Sequence, residues 1–178
     1  MSDIAQAVGV RKASLYNYYS SKEDLLLALL EDSLRSWTEA CQYGSSRHTN
    51  LEAKLAAYLR SVVEFGRENP QAMALIRLAT AQVPGDLRVK VQARFADYES
   101  QWHEELTGLF RQAVDSAEIR AEDPATLALA WGIFLDGIAI RFVFSNERTE
   151  ALVENLPGLW TLFWRGLSGN DPEAEISA

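Results

Sequence analysis

At 178 residues and 48% hydrophobic content, the chain can form a small N-terminal unit plus one helical domain of about 150 residues with its own core. A formal net charge of -8 argues against general nucleic-acid affinity, because neutralising phosphates takes Lys and Arg. One cysteine, Cys41, excludes an intramolecular disulfide, and no apolar run reaches roughly eighteen residues without a charge.

No segment alternates with period two, so the expected fold class is all-α. Ile4, Ala5 and Val8 form an apolar stripe at helical spacing, stopped by Gly9, which tolerates positive φ. Val10 and Arg11 make a tight turn. Lys12 to Tyr19 form a short second helix that is polar and aromatic. Ser21 then opens a third helix, with Asp24 as its capping-box partner. That helix runs from Lys22 to about Cys41, with Leu25, Leu26, Leu29, Leu30, Leu34 and Trp37 on one face. Gly44 to Asn50 reads as a polar loop, and Thr49 with Glu52 as a second capping box. The helix it opens carries Leu55, Tyr58, Leu59, Val62 and Phe65.

Asn69-Pro70 starts a short helix with Met73, Ile76 and Leu78, proline taking the favoured first position. Pro84-Gly85-Asp86 is a break, with Asp86 as N-cap of a long helix from Leu87 to Val114. Asp123-Pro124 opens a helix to about Phe144 that is apolar almost all round, and so must be buried on several sides. Asn155 to Pro157 mark the approach to a final helix whose main face carries Leu156, Leu159, Trp160, Phe163 and Leu167. From Gly169 onward there are three acids and no base, the composition of a disordered tail. The expected domains are a helix-turn-helix over 1–24, a helical domain over 25–168, and the tail over 169–178.

Helix, glycine turn, helix is the layout that sets a second helix into the major groove. The segment resembles the helix-turn-helix of the TetR family of transcriptional regulators. The matching residues are Asp3, Ile4, Ala5, Ala7, Gly9, Val10, Lys12, Ser14, Leu15, Tyr16, Tyr19, Ser21, Lys22, Glu23 and Leu25. There are two departures. The family has an apolar-rich helix before this motif, and this chain starts where that helix should have ended. The reading head is therefore expected to be truncated and mobile without DNA. The family also places Ser where Arg11 stands. Arg cannot accept from the free amides of the first turn, but it can reach a phosphate or a guanine edge.

Lys22 sits in the first turn of the third helix, where its ammonium and the free amides can hold a phosphate, and the Tyr16 hydroxyl suits one too. Lys12, Ser14, Asn17 and Tyr18 lie on the outward side of the reading helix, with Asn17 suited to an adenine edge. Leu15 and Tyr19 face inward. Residues 1–24 are electrically neutral, so the remainder carries the whole -8.

The resemblance implies a dimer on operator DNA, reading half-sites about 34 Å apart, and a small-molecule effector that alters the spacing of the two heads. Ala128, Gly132, Asp136 and, one step on, Ala139 allow close helix approach. With Trp160, Phe163, Trp164 and Leu167 they are the expected dimer face. Tyr58, Phe65, Met73, Ile76, Tyr98, Trp102, Phe110, Trp131, Phe134 and Leu135 are the expected lining of an apolar, aromatic pocket for a small hydrophobic effector. Gln101, His103, Asp136 and Arg141 could orient it. Cys41 is expected to pack between helices, since redox sensing would need exposure and a low thiol pKa.

No cofactor or metal is expected, because His48 and His103 form no ligand pair. Neither a phosphate loop nor a nucleophile elbow is present, so no enzyme activity is expected. The chain reads as a cytoplasmic, ligand-responsive regulator, a repressor by resemblance, without a membrane partner. The alternative is a dimeric small-molecule-binding protein whose incomplete helix-turn-helix does not bind DNA.

Overall fold

The computed structural model describes residues 1–81, 85–120, 122–144 and 146–170, leaving aside the side chains at 77, 78, 80, 81, 94, 143, 144 and 146–148. The described residues form eight helices and no strand: α1 (Ser2–Ala7), α2 (Lys12–Tyr18), α3 (Lys22–Ser46), α4 (Leu51–Glu68), α5 (Pro70–Ala81), α6 (Gly85–Asp115), α7 (Pro124–Phe144) and α8 (Asn146–Ser168). The expected tail, apart from Gly169 and Asn170, lies outside the described residues.

Local chemistry sets most helix ends. Gly9 takes φ of +71°, which lets the Val10 N–H reach the Ala5 carbonyl at 2.9 Å and the Gly9 N–H the Gln6 carbonyl at 3.3 Å, a Schellman closure of α1. Ser21 Oγ accepts from the Asp24 N–H at 3.0 Å and starts α3. Asp123 accepts from the Thr126 N–H at 3.1 Å and from its hydroxyl at 2.8 Å, ahead of Pro124 at the first position of α7.

Four boundaries differ from the sequence reading. The third helix does not stop near Cys41 but continues through Gly44 to Ser46. Gly44 belongs to a helix crossing: a Cβ there would stand 2.5 Å from Ser61 Oγ on α4, so the missing side chain lets α3 and α4 approach. The cap of α4 is Asn50, one residue after Thr49. Its side chain accepts from the Ala53 N–H at 2.8 Å, and the Glu118 carboxylate reaches across from the far end of α6 to take the Leu51 N–H. Asp86 lies inside the first turn of α6. Finally, Asn155 to Pro157 do not start a helix, because α8 runs unbroken from Asn146 with Pro157 inside it. Proline removes one helical hydrogen bond, yet Leu152, Leu156, Trp160 and Trp164 keep one buried stripe in register across it.

The main core gathers Leu55, Leu59 and Val62 of α4, Phe110 of α6, Trp131 and Leu135 of α7, and Leu156 and Trp160 of α8. A smaller cluster, nearer the head, joins Leu30 and Leu34 of α3 to Ala79 of α5 and Val91 of α6. By length and composition α7 could cross a membrane, but Leu127, Ala128, Trp131, Leu135 and Ile138 are buried inside this bundle. Gly66 faces α7 so closely that a Cβ would meet the Phe142 ring at 2.7 Å.

The head is different in kind. The backbones of helices α1 and α2 lie close to each other and approach no other described helix as closely. Ala5 is the only buried residue in 1–24. With so little apolar burial, local opening there costs little free energy. Amide exchange followed by mass spectrometry is therefore expected to label residues 1–20 fully before α4 begins to exchange. Protection of α2 equal to that of α4 would contradict this account.

Candidate functional site

Helix α2 buries nothing. Arg11, Lys12, Ser14 and Asn17 are exposed, Tyr18 is 83% exposed and Tyr16 46%, while Leu15 and Tyr19 are half-buried. The outward face of the reading helix is thus polar, cationic and aromatic, and its inward face holds the packing residues. Arg11, extended at φ -73° and ψ 140°, makes no side-chain cap, as its lack of an acceptor requires. Lys12 Nζ stands 5.8 Å from the Tyr16 ring centroid, so the aromatic face holds the ammonium on the reading surface. Lys22 is exposed at the first position of α3. Beside it, hydrogen bonds from Ser20 and then Ser21 lower the pKa of Asp24, and Lys90 of α6 adds to this.

In the second domain most of the expected pocket lining proves to be solid core. Phe65, Met73, Phe110, Trp131 and Leu135 are buried. Phe134 is half-buried and stacks on Phe163 at 4.6 Å between centroids. Ile76 and Tyr98 pack against the smaller cluster near the head. Tyr58 and Trp102 line a cleft, of about 90 Å³, between α3, α4 and α6. Gln42, Ser45, Lys54 and Glu105 also line it, and Gln42 Nε2 donates to Glu105 Oε2 at 3.3 Å. The Trp102 indole nitrogen is buried beside the Tyr58 hydroxyl, but without the geometry of a hydrogen bond to it or to any other described group. A more open cleft of about 370 Å³ lies between α5 and α6, with Val91 and Phe95 flanked by Arg88 and Glu99.

Cys41 packs behind Tyr58, and burial pushes its thiol up to about 12, opposite to what redox sensing needs. Gln101, His103, Asp136 and Arg141 line neither cleft.

The expected dimer residues also point the other way. Ala128, Gly132, Trp160, Trp164 and Leu167 are buried inside the protomer, with Trp160 stacked on Trp164 at 5.7 Å. Phe163 packs on Trp131 at 5.1 Å. Gly132 makes room for Trp102, whose Cζ3 would lie 3.2 Å from a Cβ there. The same two helices turn Leu129, Ile133 and Ile140 of α7 and Leu162 of α8 outward, each about half to two-thirds exposed. The sequence reading missed these four. Leu129, Ile133 and Ile140 fall at helical spacing, but α7 is apolar all round, so periodicity alone does not say which stripe faces in.

A helix-turn-helix with an outward cationic and aromatic reading face, joined through one long helix to a helical domain, defines a DNA-binding regulator. Residues 1–29 match the model of the tetR family of bacterial regulatory proteins, and residues 51–156 that of the C-terminal part of the BetI-type transcriptional repressor. The chain belongs to the TetR family of transcriptional regulators.

The nucleoid occlusion factor SlmA of Mannheimia succiniciproducens is 27% identical over 146 residues, covering 82% of this chain and 66% of that protein. SlmA of Actinobacillus pleuropneumoniae serotype 5b is 27% identical over 148 residues, covering 80% and 69%. The chain thus spans about two thirds of the length of these relatives. Among solved structures, the fatty acid degradation regulator FadR from Bacillus halodurans matches with a TM-score of 0.69 at 21% identity, over 93% of this chain and 87% of that one. AibR in complex with isovaleryl coenzyme A and operator DNA matches at 0.61 and 21%, over 85% and 83%. At these identities the structural likeness is one of fold.

Asp136 stands on the outward side of α7 with its pKa raised, first by partial burial and then by the Glu99 carboxylate of α6. A folded-state value above the unfolded one means that the protonated carboxyl stabilises the fold. That contribution is complete below about pH 4 and is lost as pH rises through the folded value. Asp136→Asn cannot ionise, so it is expected to melt above the parent protein at about pH 7, with the gap closing near pH 3. Thermal melts at the two pH values check this, and a gap that widens in acid would refute it.

Proposed function

We propose that this protein is a repressor that binds operator DNA as a homodimer in the cytoplasm and is released by a small-molecule effector. The observation that carries this reading is the outward face of α2, where Lys12, Ser14, Asn17 and Tyr18 stand exposed together with Lys22 at the start of α3. Lys22 and Tyr16 would hold phosphates, and Asn17 and Arg11 would read base edges. Repression draws support from the repressor model matched over residues 51–156, and an effector from AibR, whose structure holds both isovaleryl coenzyme A and operator DNA.

The dimer reading draws on Leu129, Ile133 and Ile140, an outward stripe of α7 that also carries Asp136, and on the exposed Leu162 of α8. A second copy packing the same four residues in return would cover it as an isologous interface.

Fluorescence anisotropy with the DNA flanking its own gene, across a salt series, tests operator binding. Saturable, sequence-selective binding is expected, falling steeply with salt. Lys22→Ala should weaken it on all sequences and reduce the slope of log affinity against log salt by about 1. An unchanged slope would remove Lys22 from the phosphate contacts. A second reading, a dimeric small-molecule-binding protein that does not grip DNA, is favoured by the sparse packing of the head, and flat anisotropy on every duplex would select it.

Ile133→Asp places a second carboxylate on this outward stripe of α7. Light scattering at micromolar concentration is expected to give a dimer mass for the parent protein and a monomer mass for this variant. A parent monomer, or a variant that stays dimeric, would move the interface elsewhere.

A further inference from the structure

The cleft between α3, α4 and α6 places opposite charges around an apolar floor. Lys54 of α4 and Glu105 of α6 both line it, over Leu55, Tyr58 and Leu106. Lys54 has no ion pair among the described residues. Trp102 closes the cleft beside Tyr58, with its indole nitrogen turned away from solvent.

Three kinds of ligand can be weighed against these groups. A simple anion would satisfy Lys54 but be repelled by Glu105. A simple cation would satisfy Glu105 but be repelled by Lys54. A molecule carrying both charges satisfies both. Size adds a limit, because about 90 Å³ is well below the roughly 300–1,000 Å³ of a drug-sized site. We propose that this cleft binds a small zwitterion of the amino-acid class, its carboxylate held by Lys54 and its ammonium by Glu105, with the Trp102 ring against its side chain. The assignment rests on the ligand-responsive reading above and gives the effector a chemical class. It replaces the hydrophobic effector expected from aromatic content, since those aromatics are mostly packed as core.

The same geometry suggests how the ligand would be felt. Gln42 of α3 donates to Glu105 across the cleft. An ammonium on Glu105 competes with that amide and loosens the tie between α6 and the helix that carries the head.

The test uses the full chain labelled with ¹⁵N and follows the Trp102 indole resonance, assigned by its disappearance in Trp102→Phe. L-2-aminobutyrate, butyrate and butylamine share a four-carbon chain and differ in charge. L-2-aminobutyrate is expected to shift the Trp102 resonance saturably, with the two singly charged analogues about tenfold weaker or more, and Lys54→Met is expected to weaken it about tenfold. Equal binding of butyrate or butylamine, no shift with any of the three, or full affinity in Lys54→Met would overturn the proposal. The readout involves no DNA, so failure here leaves the operator reading standing, and failure of DNA binding leaves this one standing.

Discussion

The close packing of α3 on α4 governs the rest of the molecule. Helix α3 belongs to both functional units. It begins at the Ser21 cap beside the reading helix and ends at Ser46 against the second domain, a span of about 37 Å at 1.5 Å per residue. Two clusters clamp it: Leu30 and Leu34 toward the head, and Cys41 in the main core. Gly44 lets its far end lie against Ser61 with no side chain between. Helices α1 and α2 lie closest to each other, and the chain joins them to the rest of the molecule through α3. A tilt of α3 on α4 therefore becomes a displacement of the head, with the length of the helix as lever arm.

Much of this is legible in the sequence, where local chemistry and global packing agree. Ser21 and Asp123 cap the helices they announce, and Gly9 closes α1 with the positive φ its turn requires. The two misleading breaks have a common cause. Gly44 and Pro157 are both residues that interrupt helices on propensity alone, yet each sits inside one. Tertiary packing overrides a local cost of roughly 1 kcal/mol for glycine and about 3 for proline. At Gly44 the gain is a close helix crossing, and at Pro157 it is an unbroken buried stripe from Leu152 to Trp164.

The candidate sites are legible to different degrees. The outward side of α2 can be read because an exposed helix without an apolar stripe leaves few alternatives for Lys12, Asn17 and Tyr18. The cleft cannot. Ten aromatic and apolar residues suit a pocket and a core equally well, and only the packing separates Tyr58 and Trp102 from Phe110 and Trp131. Lys54, Gln42 and Glu105 look like ordinary surface residues of three separate helices until the fold brings them to one rim. The α7–α8 face misleads for a related reason. Trp160 and Trp164 suggest an interface by their size, but the largest side chains gain most from complete burial, and they turn into the protomer. The smaller Leu129, Ile133 and Leu162 are left outside.

The sparse burial of the head also fits the proposed switch. A head that buries only Ala5 gains most of its order when it meets DNA, so part of the contact energy offsets the entropy of ordering. The net affinity is then a small difference between two large and opposed free energies. A change of about 1.4 kcal/mol in how α3 presents the head alters binding tenfold. A zwitterion that releases the exposed hydrogen bond between Gln42 and Glu105 acts at most on about that scale, since a typical hydrogen bond contributes about 0.5–1.5 kcal/mol. A head locked to the domain by an extensive apolar interface would need a far larger push. The weak packing that makes the head unstable on its own is also what allows a small ligand, some tens of ångströms away along α3, to control it.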